Sequence, residues 1–262
     1  MTRLINIYKH LYIISGYPYV YHEKMKMLLL ADLHLGYEEA MAEEGVYLPK
    51  AQLTYFKKEF DEIYEKINIE KLVIIGDLKH RFDKLSRQER SEISETIDHL
   101  KKKGISEIIL VRGNHDNYVS PLLKKYDVKI IDYMVIDDIF LIHGHVDPLT
   151  YSDLSLDNVN MIIYGHEHPS IVLRDRLGKI AKLPVFLDIP LKIDKKIIRG
   201  VILPAAGYYQ LGSSITVDPE KYLSPITKKY GDINMMRPYA VLRGEGLLEM
   251  PPIYMMLDFI EI

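Results

Sequence analysis

Five short polar segments in this 262-residue chain each follow directly on a run of apolar, strand-like residues. Met25 to Ala31 leads into Asp32-Leu33-His34, and Leu72 to Ile75 leads into Gly76-Asp77. Ile108 to Val111 leads into Gly113-Asn114-His115-Asp116, Ile139 to Ile142 into His143-Gly144-His145, and Met161 to Tyr164 into Gly165-His166-Glu167-His168. Runs this short and this apolar are the pattern of strands buried on both faces. In an α/β sheet, residues just past the carboxyl ends of such strands gather at one edge, where ligands bind. Asp32, His34, Asp77, Asn114, His143, His166 and His168 are therefore expected to meet, although they are spread from position 32 to position 168.

The segments between the runs fit that plan. Pro49 to Ile67 carries Leu53, Phe56, Phe60, Ile63, Tyr64 and Ile67 at helical spacing, with Pro49 placed near a helix start. Ser86 to Lys103 predicts a second helix, with Ile93, Ile97 and Leu100 on one face and Gly104 as its stop. Strand, helix and strand alternate at spacings that allow right-handed crossovers, which predicts α/β layering. Tyr12 to Ile14 and Tyr19 to Tyr21 read as short strands around Gly16-Tyr17-Pro18. Tyr133 to Ile136 and Ile139 to Ile142 read as a hairpin around Asp137-Asp138, and Pro184 to Leu187 and Ile198 to Leu203 add strands. Two sheets packed face to face, with helices outside, satisfy both halves. Residues 207–246 give no assignable pattern and are expected to cover a sheet edge. No repeat or linker divides the chain, so residues 1–262 are expected to form a single domain.

The chemistry follows from the donor types. The chain has no cysteine, which excludes thiolate metal sites, disulfides and cysteine catalysis, so any metal must be held by nitrogen and oxygen. Two carboxylates, one amide oxygen and four imidazoles suit Mn²⁺ first, with Fe or Zn²⁺ as alternatives, and suit Mg²⁺ or Ca²⁺ less well. Seven donors are too many for one ion with open positions, so two divalent ions are expected. Asp32, His34, Asp77 and His168 are assigned to one ion, and Asp77, Asn114, His143 and His166 to the other, with Asp77 as the bridge. An extended backbone at 166–168 would turn both histidines to one side and Glu167 away. Two ions ~3.5–4 Å apart make a site for in-line displacement at phosphorus, with a bridging hydroxide as the expected nucleophile. His115, next to Asn114, is the candidate catalytic residue, stabilising the transition state or protonating the leaving oxygen. Asp116 is expected either to orient the His115 ring or to cap a turn.

Asp32-x-His34, Gly76-Asp77, Gly113-Asn114-His115-Asp116, His143 and Gly165-His166-x-His168 stand in the order of the motifs of the calcineurin-like metallophosphoesterase superfamily, which this chain resembles. The resemblance spans positions 32 to 168. It implies a four-layer α/β/β/α sandwich of two mixed sheets with flanking helices and a dinuclear centre, and it carries over the ligand division and the substrate-facing role of His115. Asp32-Leu-His-Leu-Gly36, Gly76-Asp-Leu-Lys-His80, Ile142-His-Gly-His145, Gly165-His-Glu-His-Pro169 and Leu203-Pro-Ala205 are similar to the small prokaryotic branch related to the repair exonuclease subunit and to DNA-ligase-associated phosphoesterases. His80 is a departure, because many members carry an acidic residue or Asn there. The function implied is hydrolysis of a phosphodiester, as a nuclease or a nucleotide phosphodiesterase. A phosphomonoesterase or protein phosphatase is the alternative, and a non-catalytic scaffold would be expected to have lost several ligands.

The expected partner is a phosphodiester substrate, either nucleic acid or a nucleotide. His80 and His145 are candidate substrate contacts. Lys79 and Arg81 flank His80 as either a phosphodiester grip or a solvated loop. Arg112 is expected to pair with a carboxylate at a strand edge, Lys101 to Lys103 to favour a helix dipole, and His10, His22 and His99 to be structural. Tyr8, Tyr12, Tyr17, Tyr19 and Tyr21 are read as sheet-packing residues. A formal net charge of −3 argues against a nucleic-acid binder driven by bulk charge. No apolar run approaches the ~20 residues of a membrane span, and the N-terminus has no signal-peptide pattern, so a cytoplasmic protein is expected.

Overall fold

The computed structural model describes residues 3–175 and 178–256. The chain opens with four strands, β1 (Leu4–Tyr8), β2 (Leu11–Ile14), β3 (Val20–His22) and β4 (Met27–Leu30). Two helices follow, α1 (Tyr37–Glu43) and α2 (Gln52–Tyr64), then β5 (Lys71–Ile75), α3 (Arg87–Lys102), β6 (Glu107–Val111), α4 (Ser120–Lys125) and β7 (Lys129–Ile131). The second half contains β8 (Tyr133–Ile136), β9 (Ile139–Ile142), β10 (Met161–Tyr164), β11 (Ser170–Asp175), β12 (Gly178–Ile193), β13 (Lys196–Ile202), α5 (Pro225–Tyr230), β14 (Arg237–Leu242) and β15 (Gly246–Glu249).

These strands make two mixed sheets. The first runs β1-β2-β3-β4-β5-β6-β7, antiparallel up to β4 and parallel from β4 to β7. The second runs β15-β14-β12-β13-β10-β9-β8, with β11 paired to β12, and its β9, β10 and β13 are parallel. Each sheet thus has a parallel centre whose carboxyl ends lie at one edge.

The apolar runs are continuous because both faces of each central strand are covered. Leu29, Val73, Ile75, Ile109 and Val111 point inward and meet Leu141, Met161, Ile163, Phe186 and Val201 of the other sheet. The alternate residues Leu28, Leu30, Leu72, Ile74 and Leu110 point outward, against Phe56, Phe60 and Ile63 of α2 and Ile93, Ile97 and Leu100 of α3. Burying a large apolar side chain of this kind contributes roughly 1.5–3 kcal/mol. The outer face of the second sheet packs Phe140, Ile162, Leu187 and Ile202 against Ile226 of α5 and against Ile233, Met236 and Ile253 from connecting segments. The fold is therefore a four-layer α/β/β/α sandwich whose fourth layer is thin: one short helix and irregular chain.

Helix α3 starts where Ser86 accepts from the Glu89 amide while the Glu89 carboxylate accepts from the Ser86 amide, a reciprocal cap. The Asp137-Asp138 hairpin turn is present, with Asp137 at φ 53°. Residues 207–246 depart from expectation. Arg237–Leu242 is not an edge cover but a strand of the second sheet, paired on one side to β12 and on the other to β15, which forms the edge. No helix among the described residues is long and apolar enough to cross a membrane.

Candidate metal centre and active site

Pairing continues past the strand ends and fixes the loops that carry the polar side chains. The amides of Asp32, His34 and Leu35 donate to the carbonyls of Gly76, Asp77 and Leu78 at 3.1, 2.9 and 2.9 Å. The Gly165 amide donates to His143, and the Ala206 and Gly207 amides donate to Ala31 and Asp32, which joins the two sheets at this edge. Five of the expected ligands, Asp32, His34, Asp77, His166 and His168, adopt positive φ, between 43° and 69°. Such backbone is uncommon for residues other than glycine and concentrates at functional sites.

Glycines precede the ligands because nothing larger fits. A Cβ on Gly76 would lie 2.0 Å from the His143 ring, and one on Gly113 would lie 2.2 Å from Asp77 Oδ1 and 2.4 Å from its backbone nitrogen. Either methyl would stand where a ligand stands.

The expected ligands fall into two groups that share Asp77, and His34, His80 and His115 make a third cluster of donors beside them. Donor atoms of Asp32, His34, Asp77 and His168 lie within 4.8 Å of one another, as do those of Asp77, His143 and His166. Asn114 joins the second group, its Oδ1 3.0 Å from His143 Nε2. His34 Nε2 and His168 Nε2 are 3.2 Å apart, near enough for both to hold one ion. Asp32 Oδ2 accepts from the His166 amide, while its buried Oδ1 has no hydrogen-bond partner among the described residues and faces His168 Nε2 at 3.3 Å. A buried carboxylate oxygen left without a donor is costly unless a cation satisfies it. The donor set and this orphaned oxygen fit divalent metal.

The imidazole protons point the same way. His143 Nδ1 lies 3.1 Å from the Ile75 carbonyl, to which it donates, and this turns Nε2 toward Asp77 Oδ2 at 3.3 Å. Burial disfavours the charged His143 ring, but Asp77 and Asp32 outweigh it and push its pKa up to about 9. A cation between the same carboxylates competes with that proton. Burial raises the Asp77 carboxyl, yet His143, His34 and His115 hold it well below the usual carboxylate range. Burial and the neighbouring His168 push His34 well down, and burial with His143 pushes His166 down to about 4.

His115 stands beside this centre. Its amide donates to Asp77 Oδ1 at 3.0 Å, its Nδ1 donates to the His80 carbonyl, and its Nε2 faces Asp77 Oδ2 at 3.8 Å. Asp116 does not orient that ring. It is buried and accepts from the amides of Asp77, Leu78 and Gly113, fastening the bridging residue's loop. His80 places Nδ1 3.3 Å from His34 Nδ1, on the flank opposite the shared carboxylate. His145 lies behind the second group, its ring 5.2 Å from His143, with a buried Nδ1 that has no partner among the described residues.

The basic residues around His80 are not a free phosphate grip. Lys79 is fully buried and its ammonium donates to the carbonyls of Arg81 and Lys84, while Arg81 pairs with Glu43 and Asp83. Arg112 faces Asp132 at 3.9 Å, and His99 bonds Asp61 at 2.8 Å, away from the site. Glu167 does turn away from the ligands, accepting from Leu223 and Ser224 at 2.8 and 2.9 Å. The reason is not extended backbone: His166 and His168 both adopt left-handed φ and serve different groups.

Several contributors escape sequence reading. The buried Glu89 carboxylate accepts from the His80, Arg81 and Ser86 amides, and Gln52 bonds the Leu33 carbonyl and the Tyr208 amide. The Ser86-x-x-Glu89 spacing was the available signal for the first; nothing local marks Gln52.

No curated protein matches the chain. Among solved structures, the crystal structure of Pseudomonas putida nuclease MPE has a TM-score of 0.64 at 21% identity, over 95% of this chain and 100% of that one. Yfce, a phosphoesterase from E. coli, has a TM-score of 0.39 at 17% identity, over 69% of this chain and 80% of that one. Vps29 from Entamoeba histolytica, complexed with Zn²⁺, has a TM-score of 0.35 at 16% identity, over 86% and 97%. The first likeness carries the fold, and the other two are too distant to carry more. Residues 25–170, which hold every candidate ligand, match the calcineurin-like phosphoesterase family model. The chain belongs to the calcineurin-like phosphoesterases and is a metal-dependent hydrolase of phosphoric esters.

Proposed function

We propose that this protein hydrolyses phosphodiesters, as a nuclease or a nucleotide phosphodiesterase, with two divalent cations and with residues 1–262 acting as one domain. The observation that carries the reading is the pair of donor groups sharing the buried Asp77, with His115 bonded to the same carboxylate. Asp32, His34, Asp77 and His168 would hold one ion and Asp77, Asn114, His143 and His166 the other, with Mn²⁺ the best match to the donors and Fe or Zn²⁺ next. Cations there supply charge that neutralises phosphate oxygens and acidifies an attacking water.

The protein's own groups do the rest. The Asp77 and Asp32 carboxylates are fixed by the amides of His115 and His166, so they need not reorganise as charge develops. His115, whose Nδ1 donates to the His80 carbonyl, turns Nε2 toward the shared Asp77 carboxylate; in the doubly protonated ring, a form that burial disfavours and Asp77 favours, Nε2 would hand a proton to the departing oxygen. The complete donor set argues against a scaffold. The description of the P. putida neighbour as a nuclease supports the diester reading.

The test is direct. Purified protein loaded with Mn²⁺ is expected to hydrolyse bis-p-nitrophenyl phosphate faster than p-nitrophenyl phosphate. The reverse order would make it a monoesterase or a protein phosphatase. No hydrolysis of either ester with Mn²⁺, Fe²⁺ or Zn²⁺ bound would end the enzyme reading.

A further inference from the structure

Beside His115 the surface opens into a cavity of about 440 Å³ walled in part by His80, Phe82 and His115. Phe82 lies in the loop between β5 and α3, and the phenyl is 53% exposed. Its ring centroid is only 3.6 Å from that of His115, tilted by 35°. The His80 ring lies 5.6 Å from His115 and within 25° of parallel to it. Three flat rings therefore line one side of this cavity.

This loop is held in place. Glu89 accepts from the amides of His80 and Arg81, and Asn117 donates to the Phe82 carbonyl at 3.4 Å. The exposed phenyl thus stands on a fastened backbone, with apolar surface kept in water beside the candidate proton donor.

The rim of the cavity is acidic. Glu43, Glu44 and Asp83 face two cations there, the Arg81 guanidinium paired with Glu43 and Asp83 and the Lys84 ammonium 3.6 Å from Glu43, so the acidic groups outnumber the basic ones by one. A phosphate entering this side meets net negative charge, whereas an uncharged ring does not.

Resting on the diesterase reading, we propose that Phe82 determines specificity for the leaving arm. It stacks a flat, uncharged heteroaromatic ring, the base of a leaving nucleoside, next to His115. The acidic rim disfavours a leaving nucleoside that carries a further phosphate. The seating requires no chemistry at Phe82: the phosphorus–oxygen bond breaks at the centre, and the stacked base brings the departing oxygen to His115.

The experiment uses the Mn²⁺-loaded full chain and the dinucleoside dTpdT, whose products identify the leaving side. A second substrate lacks the base on that side, and a third carries an extra phosphate on it. Wild type is expected to favour dTpdT over the base-free substrate by about 10- to 100-fold in kcat/KM, mostly through KM. Phe82→Ala should bring that ratio toward one, and Phe82→Tyr should restore it. The extra phosphate should slow cleavage, with the gap narrowing as salt rises. Equal rates on the first two substrates, or a ratio unmoved in Phe82→Ala, overturns the stacking role. Faster cleavage of the phosphorylated substrate overturns the role of the rim. Failure to cleave any of the three overturns the diesterase reading, and this inference with it.

Discussion

The two sides of the metal centre rest on different kinds of support. The first-sheet side, which carries Asp32, His34, Asp77 and Asn114, is backed by α1, α2 and α3, and buried side chains of those helices fasten its loops. Glu89 holds the amides of His80 and Arg81, Glu92 holds the Gly36 amide at 2.8 Å, and Gln52 bonds the Leu33 carbonyl. The second-sheet side carries His143, His166 and His168 and, among the described residues, is backed by one short helix, α5. Its fasteners come from the start of the short α5 and from irregular chain: Leu223 and the α5 cap Ser224 give their amides to Glu167, the Ser224 hydroxyl bonds the Gly144 carbonyl at 2.6 Å, and the Ser170 amide bonds the Ser213 carbonyl at 2.9 Å. Both sides obey one rule, that a buried loop must find partners for its backbone polar groups. They differ in whether the partners belong to regular elements or to segments brought in late by the chain.

Asp77 lies where the two sides meet, so it should separate binding from turnover most sharply. Asp77→Ala removes the carboxylate common to both donor groups and is expected to empty at least one metal position. Its loss of activity should exceed that of His115→Ala. The latter should keep metal content nearly intact and lower kcat by ~10²–10⁴-fold, the span of a general acid–base group. Metal analysis of the purified variants beside their rates checks the division. Equal metal loss in both would mean that His115 supports the ions rather than the substrate.

A smaller effect tests the asymmetry of support itself. Glu89 accepts three backbone amides, at 3.1, 2.7 and 2.7 Å, and Glu167 accepts two, at 2.8 and 2.9 Å. A charged acceptor contributes about 1.5–3 kcal/mol per bond, and glutamine keeps one of the two oxygens. Glu89→Gln should therefore cost about 3 kcal/mol and Glu167→Gln about 2 kcal/mol, read by urea denaturation of the metal-free protein. The first should also lower kcat, because the His80 carbonyl that holds His115 belongs to the loop Glu89 fastens. A larger cost at Glu167 would show that the irregular layer, not the helical one, governs the stability of the centre.

This asymmetry also explains what could be read from the sequence. Strands β4, β5, β6, β9 and β10 were legible because both faces are buried, and the residues trailing them were legible because parallel strands end at one edge. Helix α3 was legible from its apolar stripe. Helix α1 was not: in its seven residues, Tyr37 to Glu43, one of the two buried side chains is the carboxylate of Glu38. Strand β14 was hidden by Pro238, and the full length of β12 by Pro184 and Pro190, the latter lying past the stretch paired with β14. At 166–168 period-2 reasoning turned Glu167 the right way for the wrong reason, since left-handed backbone at both histidines does the turning. Phe82 gave no signal, because a lone aromatic among Arg81, Asp83 and Lys84 has no periodicity and acquires meaning only beside His115.

The smallest effect lies at the other end of β9, away from the metals, where one carboxylate ties the two sheets. Asp138 accepts from Tyr8 and Lys9 at the end of β1 and from Asn160 just before β10. Burial pushes its carboxyl up, but the hydrogen bonds from Lys9, Tyr8 and Asn160 outweigh it and hold the group below the usual range. A carboxyl lowered on folding stabilises the folded state above its unfolded pKa of ~3.9, and that contribution is lost as pH falls below it. Lys9 is half exposed, so solvent screens its share. Asp138→Asn is expected to cost about 1–2 kcal/mol at pH 7. The gap to wild type should shrink by pH 3, measured by urea denaturation at both values, with metal content unchanged. If the gap stayed constant on acidification, the tie at this remote end of the sandwich would depend on shape rather than charge.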